Sequence, residues 1–139
     1  MKYTILTIFF IISLANNVYC QANTDYSKFT SKADSLFLAK NYRDAALLYT
    51  KAFKMNNDQG MVKDRYYSAC CWALIDNYDS AFYELNRIAT KGKFAGYDQI
   101  LQDNYLTKLH SDKRWLPLMK IIQENLNEKL NNTIKIDND

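Results

Sequence analysis

Apolar side chains recur along this chain at intervals of three and four, the spacing that gathers them on one stripe of an α-helix. Ala45, Tyr49 and Ala52 form one such stripe, and Ala81, Leu85 and Ile88 form another. The two superpose at an offset of 36 positions, and the match extends beyond them: Ala33 pairs with Ala69, Leu36 with Trp72, and Leu38 with Leu74. The string Asn-Tyr-Arg-Asp-Ala-Ala at 41–46 returns as Asn-Tyr-Asp-Ser-Ala-Phe at 77–82. This predicts helices at about 26–40, 43–55, 60–76 and 79–91, with each Asn-Tyr pair in the tight turn inside a hairpin. Asn56, Asn57, Asp58 and Gly60 mark the turn between hairpins, and Gly92 closes the fourth helix.

A repeat of this length points to an all-α stack of helical hairpins, because one hairpin cannot bury its apolar face alone. The matched alanines Ala33, Ala45, Ala52, Ala69 and Ala81 let helix axes approach closely, while Leu36, Tyr49, Trp72, Leu85 and Ile88 fill the space between hairpins. Downstream, short helical turns are expected around Tyr97 to Leu109, then a helix over about 112–130. Ser111 or Asp112 can cap that helix, and Trp115, Leu118, Met119, Ile122 and Leu126 give it an apolar face. Pro117 removes a backbone donor and should bend or delay it. The polar stretch 131–139 is expected to fray.

On these residues the chain resembles the tetratricopeptide repeat family. Ala33, Leu36, Tyr42, Ala45, Tyr49 and Ala52 match the repeat signature in the first unit, and Ala69, Trp72, Tyr78, Ala81, Leu85 and Ile88 match in the second. Ile88 stands where the family prefers alanine, Asn57 where proline is common, and Arg65 where a large apolar residue is usual. The spacing of 36 exceeds the family's period of about 34. The stretch Asp103-Asn104-Tyr105-Leu106, followed by Leu109 to Trp115, resembles the segment that closes such repeats in exported proteins of Bacteroidetes-type bacteria. The resemblance implies a right-handed α-α superhelix of two units (about 26–57 and 60–92), with capping helices over 97–130 and Trp115 sealing the open end. It also implies a concave groove for a protein or peptide, lined by Thr30, Asp34, Phe37, Lys63, Tyr66, Cys70 and Ala73. Of these only Lys63 is of the kind used by relatives that clamp a C-terminal carboxylate, so no such clamp is expected.

The first twenty residues read as a signal peptide: Lys2, an apolar run from Tyr3 to Leu14, then a polar stretch ending Val18-Tyr19-Cys20. The run falls well short of the about 20 apolar residues that span a bilayer. Export to the periplasm or beyond is therefore expected, with cleavage after Cys20 leaving a domain over 21–130 and no stable membrane insertion. Two alternatives stand beside it: a retained N-terminal anchor, and lipid attachment at Cys20, which Tyr19 disfavours. Without residues 1–20 the chain carries 17 basic and 15 acidic side chains, a net charge of +2. The basic residues are scattered, with no run longer than Lys113-Arg114, so a nucleic-acid partner is not expected.

The remaining cysteines, Cys70 and Cys71, are adjacent; helical neighbours point about 100° apart, which suits two core thiols better than a bridge. With His110 as the single imidazole, no metal site is expected, and three glycines make no phosphate-cradling loop. No cofactor is expected. Aromatic content is high, with eleven tyrosines, seven phenylalanines and two tryptophans. Tyr66, Tyr67 and Tyr83 flank the packing stripe and are candidates for contact with a partner. The combined expectation is a monomeric, non-enzymatic adaptor that binds a protein or peptide. A regulatory module for a separate hydrolase and a small cysteine enzyme are the rival readings.

Overall fold

The repeated Asn-Tyr pair marks a turn built twice with the same hydrogen bonds. The computed structural model describes residues 25–136, so the expected signal peptide, the cleavage after Cys20 and positions 137–139 lie outside the described residues. Helix α1 (residues 25–38) ends at Lys40 and helix α3 (Val62–Leu74) ends at Asp76, with left-handed φ of 60° and 61°. The Lys40 and Asn41 amides donate to the Phe37 and Leu36 carbonyls at 2.9 Å each. The Asp76 and Asn77 amides donate to the Ala73 and Trp72 carbonyls at 3.2 and 2.9 Å. Both are Schellman closures, which satisfy carbonyls that a helix end would otherwise leave bare. Each Asn then starts the next helix: Asn41 Oδ1 accepts from the Asp44 amide ahead of α2 (Tyr42–Met55), and Asn77 Oδ1 from the Ser80 amide ahead of α4 (Tyr78–Thr90). Tyr42 and Tyr78, expected in the turns, are the first helical residues.

Such short turns fold each helix pair antiparallel, and small residues set how closely they pack. Ala33, Ala45, Ala52, Ala69 and Ala81 are fully buried, as are Tyr49 and Leu85, with Ile88 close to it. Leu36 and Trp72 are only partly buried and lie against the margin of the core. Helix α3 is central, packing on both α2 and α4. Among the described residues there are seven helices and no strand.

The remaining elements are α5 (Tyr97–Gln102), a 3-10 helix (Asn104–Leu109) and α6 (Trp115–Ile136). Helix α6 begins three residues later than the pattern suggested. Pro117 thereby falls in its first turn, where a missing N–H leaves no intrahelical bond unmade. The helix also runs on to Ile136, past the end expected at about residue 130. It packs on α4 and α5 with Trp115, Leu118, Met119 and Ile122 buried. Buried Asn125 donates to the Ala89 carbonyl at 2.8 Å and the Phe94 carbonyl at 3.0 Å, fixing the loop after α4.

Candidate functional site

Thr30, Asp34 and Phe37 follow one another on α1 at intervals of four and three, so they share the face that meets the start of α3. Tyr26, one turn earlier, ties the two helices together: its hydroxyl donates to Asp64 at 2.5 Å and accepts from the Met61 amide at 2.9 Å. Burial, with the Asp64 contact adding to it, pushes the Tyr26 phenol well above its ordinary range. Between these helices lies a cleft of about 590 Å³, lined by Tyr26, Thr30 and Asp34 from α1 and by Gln59, Met61 and Lys63 from the other side. A smaller recess of about 200 Å³ adjoins it, lined by Asp34, Phe37, Leu38, Tyr49, Lys63 and Tyr67. Asp34 and Lys63 belong to both, so the two make one groove.

Asp34 is held from two directions. The buried Tyr49 hydroxyl of α2 donates to Oδ1, and the Lys63 ammonium sits 3.2 Å from Oδ2. Burial drives the Tyr49 phenol upward and its bond to Asp34 reinforces the shift, while the same carboxylate raises the Lys63 ammonium. Phe37 and Tyr67 stand beside them with ring centroids 5.1 Å apart.

The other expected groove residues meet the chain itself. The Tyr66 hydroxyl donates to Asp103 Oδ2 at 2.5 Å, and Cys70 Sγ lies 3.8 Å from the same oxygen. The Tyr105 ring packs edge-on against Phe37 at 5.3 Å. The segment around the 3-10 helix thus covers the inner face of α3, and Cys70 and Ala73 have no accessible surface. Thr30, Asp34, Phe37 and Lys63 gather at the groove, while Tyr66, Cys70 and Ala73 lie out of its reach. Of the three candidate tyrosines, Tyr67 lines the recess, Tyr66 is buried, and Tyr83 is half exposed with its hydroxyl 3.1 Å from Asp58. The pattern reading missed Tyr26, Gln59, Met61 and Leu38. Met61 and Leu38 are exposed apolar residues at its edges, a signal that becomes visible only once the groove is in place.

Both thiols are free and buried. Burial lifts Cys70 far above its ordinary value and Cys71 to about 12, so both stay protonated near neutrality and are poor nucleophiles. Among the described residues no cluster of His, Cys, Asp and Glu could hold a metal, and no helix is long and apolar enough to cross a membrane. Compared with family models, with curated proteins and with solved structures, the chain matches none.

Proposed function

We propose that this chain is an exported, non-enzymatic adaptor of tetratricopeptide type, which holds an extended segment of another protein in the groove between α1 and α3. The observation that carries this reading is the continuity of that groove. Polar groups of Ser27, Ser31 and Gln59 line it, an Asp34–Lys63 pair lies midway, and Met61 and Leu38 stand exposed at 65% and 81% on its borders. An extended peptide offers the complement: backbone amides for the polar wall and alternate side chains for the apolar ends. The twin turns at an offset of 36 support the repeat assignment, and the protonated thiols argue for binding over cysteine chemistry. Because the closing segment covers the inner face of α3, the groove is short and affinity for one peptide is modest.

The test is retention of short peptides from a random library on the immobilised full chain, read by biosensor. Related sequences should bind, and Ser27→Trp, which fills the cleft from an exposed position, should abolish binding without unfolding the protein. Retention of no peptide, or equal retention by Ser27→Trp, would overturn the proposal.

A further inference from the structure

We propose that the recess at Asp34 receives a basic side chain, a lysine or arginine of the bound segment. The inference rests on the groove reading above and gives its ligand a chemical class. Phe37 and Tyr67 form the aromatic wall of the recess, Tyr49 its floor, and the outward oxygen of Asp34 its only acidic group. A carboxylate beside aromatic rings attracts cations twice over, through its charge and through the negative faces of the rings. The carboxylate and the ring faces both repel an anion, and Lys63 alone among the lining residues favours one.

The chain already places a cation there. The Lys63 ammonium lies 3.2 Å from Asp34 Oδ2 and 5.7 Å from the centroid of the Tyr67 ring. Its side chain is 61% exposed and sits on a four-carbon stem, so it can swing out and surrender both contacts. Asp34 cannot move as readily, because the Tyr49 hydroxyl holds its other oxygen. The receptor is therefore oriented in advance and occupied by a weakly held internal competitor. A volume of about 200 Å³ suits one side chain and excludes a folded ligand.

The experiment titrates the full chain with blocked amino acids and follows Tyr67 and Lys63 by NMR. N-acetyl-lysine methylamide and N-acetyl-arginine methylamide should give saturable shifts; the norleucine and glutamate analogues should not. Lys63→Ala should bind the basic probes about fivefold tighter, the release of one exposed ion pair. Asp34→Asn keeps an acceptor for Tyr49 yet should weaken them about tenfold, the loss of a charged hydrogen bond. Unchanged or weaker binding by Lys63→Ala, or a preference for the glutamate probe, would overturn the proposal. Peptides that bind with no basic residue in common would also overturn it and leave the groove reading standing. Basic probes that bind where no peptide does would sink the groove reading alone.

Discussion

Arg65 on α3 donates to Glu84 on α4 at 2.5 Å, and the two side chains are only 4% and 6% exposed. The other end of the guanidinium donates to the Asp58 carbonyl at 2.7 Å, and its flat face lies 4.3 Å from the centroid of the Phe53 ring. Arg87 reaches the same carbonyl at 2.5 Å. Asp58 is left-handed, with φ of 55°, so the turn between the hairpins is clamped by one arginine from each helix of the second. Gly60 makes room for this: a Cβ there would fall 2.6 Å from the Phe53 ring and 3.2 Å from Arg65 Nε.

Removing one partner of this pair should be far worse than removing both. Burial already holds the Glu84 carboxyl above its ordinary range despite Arg65 beside it. Arg65→Met strands that group and should cost about 3–5 kcal/mol in urea unfolding. Arg65→Met combined with Glu84→Leu should recover most of the loss. A double variant as unstable as the single would show that the grip on Asp58, and not the ion pair, carries the stability.

The hairpins were legible because one residue type does two jobs at each turn. Asn41 and Asn77 finish one Schellman closure and cap the following helix, so the same short string had to recur. The close alanine crossings left the same kind of trace. Arg65 left only its place where a large apolar residue is usual; its partner lies 19 positions away with no spacing rule between them. Asp103 over Tyr66 is a contact across 37 positions, which is why three groove residues were assigned to a face that the chain covers itself. One signal was available in composition. A buried tyrosine needs an acceptor for its hydroxyl. Tyr26, Tyr49 and Tyr66 find theirs in Asp64, Asp34 and Asp103, so a tyrosine-rich helical stack implied inward-facing carboxylates.

The two asparagine caps should be individually modest and additive. Asn41→Ala and Asn77→Ala each leave an amide at a helix start without its side-chain acceptor, at a cost of about 0.5–2 kcal/mol. The turns share no hydrogen-bonding partner in common, so the double variant should lose the sum. Asn77→Asp should hold stability near the wild-type value, since the side-chain oxygen remains, whereas Asn41→Asp should lose stability, because Asn41 Nδ2 donates to Asp44 Oδ2 at 2.7 Å and a carboxylate there would repel it. Thermal unfolding that is insensitive to both alanine changes would contradict the cap assignment.

Ala45 and Ala81 test the packing register. Each is fully buried on the inward face of its helix, so leucine at either forces neighbours apart and should cost about 1–3 kcal/mol. Leu47, on the same helix as Ala45 but more than half exposed, should tolerate alanine within about 0.5 kcal/mol. Equal responses at Ala45 and Leu47 would place the stripe on the wrong face.

The tyrosine–aspartate pairs predict how the fold fails in alkali. Burial first, and the bond to a carboxylate second, raises Tyr26, Tyr49 and Tyr66 above the ordinary 10.0. Below pH 10 folded and unfolded chains alike keep these protons, so the contribution is complete. Above it the unfolded chain releases protons that the folded chain retains, and each such tyrosine then lowers stability by about 1.4 kcal/mol per pH unit. Denaturant titrations at stepped pH should therefore show stability falling as pH rises above 10. Tyr49→Phe should flatten that slope by one proton's worth, even though it destabilises the protein at neutrality by leaving Asp34 short of a donor. Phenolate absorbance should rise in two parts, the later one together with loss of helical dichroism. Full ionisation of every tyrosine with the helices intact would mean that these hydroxyls are not buried against their carboxylates.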